Sequence, residues 1–172
     1  MLAFLLIAGK WLGLAGMASA AVIGWFWGAR ISWETHYFLG MTGTLLYALA
    51  QVMTTYYFLG MRTAIVRAVS RHGLDLSLAE EAQAIKKRVS RMGHILPLLA
   101  TVTLIVAGGV LASKLPAWSH WTLGAVTMLL GIRSGVVELR AFRDNAALFE
   151  RAAALIPEQI VVAEPIPDTQ SS

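Results

Sequence analysis

The sequence contains no cysteine and few charged residues. The lack of cysteine excludes disulfides, thiolate metal sites, iron–sulfur clusters and cysteine nucleophiles. Only 14% of the 172 residues are charged, whereas 57% are hydrophobic, and the mean hydropathy is +0.64. A soluble domain of this length would have more apolar surface than one core could hide. The composition therefore favours a protein whose excess apolar surface faces lipid.

Sequence motifs of catalysis and nucleotide binding are also lacking. There is no Gly-rich phosphate loop, no His-Glu-x-x-His, no Gly-x-Ser-x-Gly and no spaced carboxylate cluster for di-iron or hydrolytic chemistry. No residue is therefore assigned a catalytic role, and we expect the chain not to be an enzyme by itself. The net charge of +4 could indicate nucleic acid, but the basic residues flank apolar stretches and lack interleaved aromatics. Anionic lipid headgroups are the simpler partner.

Four apolar stretches are long enough to cross a bilayer as helices, which takes about 20 residues for about 30 Å of hydrocarbon. They are residues 3–28, 36–61, 93–113 and 116–139. The first could be a signal peptide cleaved after Ala18-Ser19-Ala20, but its apolar run continues through Phe26, which favours a retained helix. The sequence therefore predicts an all-α integral membrane protein whose four transmembrane helices form an up-down bundle.

Positive charge is divided unequally between the connections. The 62–92 loop holds seven basic residues, namely Arg62, Arg67, Arg71, Lys86, Lys87, Arg88 and Arg91. The two connections on the other side hold only Arg30 and Lys114. By the positive-inside rule the loop is cytoplasmic. The protein is then expected to cross a bacterial-type inner (plasma) membrane with both termini on the cytoplasmic side. Tryptophans, which favour the headgroup level, cluster at the predicted outer boundary. These are Trp25, Trp27, Trp33, Trp118 and Trp121.

The cytoplasmic loop 62–92 is predicted to be helical. The second helix is expected to continue into the loop and to end at Gly73. A capping box starting at Ser77 indicates a new helix. We expect that helix to run into the third span, with Pro97 bending it or freeing a carbonyl near its entry.

Residues 140–156 are predicted to continue the fourth span as an amphipathic cytoplasmic helix. Apolar residues at helical spacing, including Phe142 and Phe149, would share one face. Residues 157–172 are rich in proline and acidic residues, which is typical of a tail that cannot bury itself.

Small residues at four-residue spacing indicate close helix packing. Gly24-x-x-x-Gly28 and Gly131-x-x-x-Gly135 lie within the first and fourth spans. Such patterns let helix backbones approach one another. Alternatively, they form a dimer face or make room for a flat cofactor.

Two histidines are the sharpest indication of a cofactor. His36 opens the second helix and His120 opens the fourth, so the predicted topology places both near the outer surface. A glycine follows each at the fourth position, Gly40 and Gly124, on the same helical face. A bis-histidine haem b needs two imidazoles from different helices and space for the porphyrin. His36 and His120 are therefore candidate iron ligands, with Gly40 and Gly124 as cofactor contacts. Alternatively, water or lipid phosphate satisfies these histidines at the headgroup level.

Three further polar residues lie at or within the spans. His94 lies at the inner boundary of the third span, where it could bind a second haem, bind a quinone headgroup near Tyr56 or Tyr57, or be structural. Arg133, in the fourth span, is a candidate snorkelling residue, salt-bridge partner or haem-propionate partner. Lys10 is expected to snorkel toward the headgroups from the first span.

Three functions stay open from the sequence. The leading hypothesis is a small subunit that packs within or anchors a larger membrane complex, with other membrane subunits or copies of itself as partners. Its basis is the glycine-lined faces, the lack of chemistry at the membrane midplane and the cytoplasmic helices. The alternative is a haem b electron carrier or quinone-linked subunit that uses His36 and His120. A small transporter is a weaker alternative, because transport normally needs acidic groups near the membrane midplane and the central parts of the predicted spans contain none.

Overall fold

The computed structural model describes residues 1–26 and 33–156, and in these ranges the chain is helical, without strands. The helices are α1 (Leu2–Phe26), α2 (Trp33–His72), α3 (Leu76–Gly93), α4 (Ile95–Leu111) and α5 (Ala117–Ala154). The predicted all-α class is confirmed for these residues. The predicted tail, residues 157–172, lies outside the described residues, as do Trp27, Gly28 and Arg30.

Among the described residues, three helical stretches are long and apolar enough to cross a membrane. They are Leu2–Trp25, Leu76–Leu111 and Ala117–Ala154. They contain the greater part of the first, third and fourth predicted spans. The second predicted span, residues 36–61, lies within α2 and is not among them, because its tyrosines, threonines and Gln51 lower its hydropathy. It carries no Asp, Glu, Lys or Arg, so no charged side chain opposes its burial in lipid.

Helices α1 and α2 approach closely because glycines remove side chains where they cross. Gly13 lies against the backbone of Tyr47, and Gly43 lies against the backbone of Gly16 and Met17. A Cβ added at Gly43 would come within 2.8 Å of the Met17 nitrogen. These contacts run in opposite order along the two sequences, so the helices are antiparallel.

Helix α5 reaches α1 through the Gly131-x-x-x-Gly135 pattern. A Cβ at Gly131 would lie 2.9 Å from the Leu14 side chain, and one at Gly135 would lie 3.1 Å from the Trp11 ring. Both glycines are buried. The predicted role of this pattern in close helix packing is therefore confirmed.

The turn between α2 and α3 is built by two residues. Gly73 follows the end of α2 with φ of +63°, a left-handed conformation that favours glycine, as predicted. The predicted cap at Ser77 is wrong, because Ser77 lies inside α3 and Asp75 is the N-cap. The Asp75 carboxylate accepts a hydrogen bond of 2.9 Å from the Ser77 backbone N–H. This hydrogen bond lowers the pKa of Asp75 below its ordinary value.

A local break at His94 separates α3 from α4, close to where Pro97 was expected to bend the helix or free a carbonyl. Pro97 explains its position, because proline lacks the N–H that would bond the Gly93 carbonyl four residues earlier, and its ring crowds that oxygen. The φ of His94 is −96° and its ψ is −35°, so the backbone stays near helical values. The proline therefore interrupts the hydrogen bonding without making a turn.

A hydrophobic core forms where α3 packs between α2 and α5. Its largest fully buried side chains are Phe58, Ile65, Ile85, Val89 and Leu148. Two exposed ion pairs join α3 to α5 beside it, Arg88 to Asp144 at 2.8 Å and Arg151 to Glu81 at 2.7 Å. Helix α3 is thus fastened to α5 by apolar packing and by charge pairing.

The face that α5 buries in this core differs from the predicted one. Phe142 is buried as expected, but Phe149 is 46% exposed, whereas its neighbour Leu148 is fully buried. The buried stripe also includes Glu138 and Asn145. A pattern of apolar residues alone does not predict a stripe that contains buried polar side chains, so the predicted face was rotated by about one residue.

Candidate functional site

His36 and His120 line one cavity between α1, α2, α4 and α5. Gly40 and Gly124 line the same cavity, so the structure brings these four candidate site residues together. The two imidazole centroids are 6.3 Å apart and the ring planes are nearly perpendicular, at 85°. The cavity volume is about 340 Å³, within the range of small-molecule sites.

Contacts with α1 fix the ring of His36. Its Nδ1 lies 2.8 Å from the backbone oxygen of Ala20. Because a carbonyl only accepts, Nδ1 carries the proton in a neutral ring, and Nε2 is left with a lone pair for a ligand. Gly24 makes room for this arrangement, since a Cβ there would lie 2.7 Å from His36 Cε1 and 3.1 Å from the Trp121 ring. Metal-binding histidines are commonly oriented by such an N–H to carbonyl bond.

The opposite histidine has an unsatisfied nitrogen. His120 Nδ1 is buried and has no hydrogen-bond partner among the described residues. An unpaired buried polar atom costs about 1–3 kcal/mol, so native proteins normally provide a partner. The neighbouring Trp121 packs edge-on against Trp25, with ring centroids 5.4 Å apart, which holds this end of α5 against α1. His120 therefore lies at the cavity with a ring nitrogen, Nδ1, that can still bind a ligand.

The rest of the cavity wall is mostly apolar and leaves space at Gly124. No described atom lies within 4 Å of a Cβ added there, whereas one at Gly40 would contact Ala20 at an ordinary 3.6 Å. The hydroxyls of Thr44 and Thr103 each donate to a carbonyl one turn earlier in their own helices. Methionine side chains, which adapt to irregular shapes, also line the cavity. These are Met17, Met41 and Met128.

Two imidazoles are a donor set that could hold a haem iron. In the described part of the chain, no three His, Cys, Asp or Glu side chains come together to hold a metal ion. Zinc sites normally use three or four protein ligands. A haem iron needs only two axial ligands, because the porphyrin supplies the other four. Two imidazoles beside an apolar cavity meet that requirement.

The remaining predicted site residues lie elsewhere. His94 lines a second cavity together with Tyr56. Tyr57 is not in that cavity and packs against Phe142, with ring centroids 5.1 Å apart. Arg133 is exposed on α5 and lines neither cavity. The structure therefore does not bring His94 or Arg133 to the His36 and His120 site.

Sequence reasoning did not predict a buried polar cluster that joins α1, α2 and α5. Lys10 Nζ donates to Glu138 Oε2 at 2.8 Å, to Ser134 Oγ at 3.2 Å and to Gln51 Oε1. Glu138 Oε1 accepts from Gln51 Nε2 and from Ser134 Oγ, each at 2.8 Å. Lys10 is 2% exposed and Glu138 3% exposed. The prediction that Lys10 snorkels toward the headgroups is therefore wrong.

The sequence did contain a signal for this cluster. Ionisable residues inside or beside apolar spans are expected to pair, because an isolated buried charge is costly. Lys10 and Glu138 both meet that description, although they are 128 residues apart. The ring of Tyr47 completes the surroundings of the ammonium group, whose nitrogen lies 5.5 Å from the ring centroid.

Comparison with known proteins gives no relative. No protein-family model, no curated protein and no solved structure matches this chain. The function proposed for the site is therefore based on its own chemistry and geometry.

Proposed function

We propose that this protein is an integral membrane haem b protein in which His36 and His120 are the axial ligands of the iron. The main support is that the two imidazoles lie at one apolar cavity, with 6.3 Å between their ring centroids. Iron bonds of about 2 Å place the two ligating nitrogens about 4 Å apart. A centroid spacing of 6.3 Å accommodates that separation when a nitrogen at the edge of each ring faces the iron.

Three features of the residues fit the group. The hydrogen bond from His36 Nδ1 to Ala20 leaves Nε2 for iron. His120 has a buried nitrogen without a partner among the described residues. Gly124 leaves open space where any larger side chain would project. A haem with two histidine ligands supplies one-electron transfer, because both axial positions are taken by the protein.

The proposal includes a membrane placement for the whole chain. Helices α1, α2, α4 and α5 would each cross the bilayer, up and down, with both termini in the cytoplasm of a cell with a bacterial-type inner membrane. Support comes from the three apolar stretches, from the uncharged second span and from the excess of basic residues in the 62–92 loop. His36 and His120 would then lie toward the outer face.

A role as a subunit of a larger membrane complex is a second proposal with less support. The helices expected to hold a cytoplasmic partner bury their apolar faces against each other, as Ile85 and Leu148 do in one core. An electron carrier nevertheless needs a donor and an acceptor, so a redox protein or a quinone is the partner class that fits. A transport function has little support, because the charged groups of Lys10 and Glu138 are already bonded to each other and to neighbouring side chains.

Absorption spectroscopy tests the haem proposal directly. Protein purified in detergent from haem-replete cells should show a Soret band and contain about one haem per chain. His36→Ala and His120→Ala should each lose most of that haem, because one axial ligand is removed. His72→Ala, at the end of α2 and away from the cavity, should keep it. Wild-type protein without a Soret band, or with bound metal but no porphyrin, would sink the proposal.

A steric variant separates haem loss from misfolding. Gly124→Leu would project a side chain into the cavity while leaving both histidine ligands in the chain, so we expect haem loss with an unchanged helical circular dichroism spectrum. Gly108→Leu is the matched control, because Gly108 also has no described atom within 4 Å of an added Cβ but does not line the cavity. Equal haem content in the two variants would contradict the proposed position of the porphyrin.

A further inference from the structure

A second cavity lies between α2 and the junction of α3 with α4, with a volume of about 320 Å³. One side carries Lys86, Ser90 and His94, which recur every four residues and so share a helical face. Thr55 and Tyr56 line the opposite side, on α2. The remaining wall consists of Val52, Leu59 and Gly93. None of these residues lines the cavity that contains His36 and His120.

This cavity presents hydrogen-bond donors but no anionic side chain. Ser90 Oγ is buried and has no hydrogen-bond partner in the described ranges. Lys86 forms no ion pair with any described residue, whereas Arg88 on the same helix pairs with Asp144. No Asp or Glu is among the residues that line the cavity. An ammonium group, a hydroxyl and an imidazole therefore surround a space from which anionic side chains are missing.

We propose that this cavity binds the phosphate group of an anionic phospholipid. Lysine, serine and histidine side chains can all donate hydrogen bonds to phosphate oxygens, and the bond from lysine is charge-assisted. The exposed side chains of Val52 and Leu59 extend the cavity with apolar surface on which an acyl chain can lie. The inference depends on the proposed membrane placement, which puts His94 at the cytoplasmic headgroup level, but not on the haem.

The charge of Lys86 selects the lipid over a quinone. A quinone headgroup also accepts hydrogen bonds, but it is neutral and leaves the ammonium charge uncompensated. A phosphate compensates it, which lowers the cost of placing that charge in a partly buried cavity. A zwitterionic lipid brings its own cation close to Lys86, so a lipid whose only charge is negative is preferred.

Lipid titration of paired lysine variants tests the site. Full-length protein in zwitterionic nanodiscs would be titrated with phosphatidylglycerol, with bound lipid counted by native mass spectrometry. Lys86→Gln should weaken binding roughly tenfold, because it removes a charge-assisted hydrogen bond. Lys87→Gln removes the same charge from an exposed neighbour outside the cavity and should weaken it no more than about twofold. Ser90→Ala should weaken binding while preserving the fold.

Each contrary outcome is informative. Equal weakening by Lys86→Gln and Lys87→Gln would mean general attraction to the membrane surface and would overturn the site. Equal binding of phosphatidylcholine, or a co-purifying quinone that is lost in Lys86→Gln, would overturn the assignment of the ligand. Soret absorbance of the same samples should not change with Lys86→Gln. Lipid binding therefore tests the lipid site, whereas Soret absorbance of the wild-type protein tests the haem proposal. Solubility of the wild-type protein without detergent would overturn the membrane placement itself.

Discussion

Lys10 and Glu138 place two ionisable groups where water cannot reach them. Removing each ion from water costs several kcal/mol, and their attraction offsets that cost only with good geometry and further hydrogen bonds. Gln51 and Ser134 provide those bonds, since each contacts both charged groups. The cluster therefore fixes how α1, α2 and α5 are rotated against one another, because any other rotation would leave a buried charge alone.

Breaking this pair should be worse than removing it. We expect Glu138→Gln to lower the free energy of unfolding by about 3–5 kcal/mol, since it leaves the Lys10 ammonium buried without a counter-charge. The double variant Lys10→Met with Glu138→Gln should be more stable than Glu138→Gln alone. Denaturant unfolding in detergent micelles measures both. Glu150→Gln, an exposed acid on α5, is the control and should change stability by less than about 0.5 kcal/mol. A double variant less stable than Glu138→Gln would contradict the explanation.

The two polar clusters differ in how far the sequence predicted them. His36 and His120 were predicted as a pair because both open helices that the topology places at the same membrane level, a matter of length and direction only. Lys10 and Glu138 were not, because their contact depends on the rotation of α1. That helix is apolar on nearly all sides, so its sequence pattern does not indicate which side meets α5.

At the scale of helices, ends were more predictable than faces. Gly73 and Pro97 act on the backbone through local sterics and hydrogen bonding, so their effects do not depend on the rest of the fold. The buried face of α5 was predicted less well, because it includes the polar residues Glu138 and Asn145, and Glu138 is paired with side chains of other helices. A polar residue is assigned to the surface until its partner is known.

The α1 to α2 crossing gives a prediction at this scale. Gly43→Ala should destabilise the protein by about 1–3 kcal/mol, because the new methyl group would meet backbone atoms of α1 that cannot rotate away. Gly60→Ala, on the same helix, meets no described atom within 4 Å and should gain up to about 1 kcal/mol from helix propensity. Thermal unfolding in one detergent compares the two. A change of the same sign and size in both variants would show that the crossing is not tightly packed.

For the whole molecule, the membrane placement predicts which segments face which compartment. Because the chain has no native cysteine, maleimide labelling of a single introduced cysteine has no background from other residues of the protein. Ser70→Cys, exposed near the end of α2, should react with an impermeant maleimide only after the membrane is opened. Ser113→Cys, exposed after α4, should react in intact spheroplasts. The reverse labelling pattern would mean that the orientation in the membrane is the opposite of the proposed one. Reaction of both cysteines in intact spheroplasts would contradict the proposed topology.

By itself, the sequence determined the helical class, the approximate ends of the helices and the choice of His36 and His120 as a pair. These follow from helical rise, apolar length and local backbone chemistry, which need no partner. Only the tertiary structure decided that Lys10 meets Glu138 and that Lys86, Ser90 and His94 share a cavity with α2. Hydrogen bonds between side chains of different helices depend on rotation and register at the level of a single residue. Apolar periodicity constrains both only loosely.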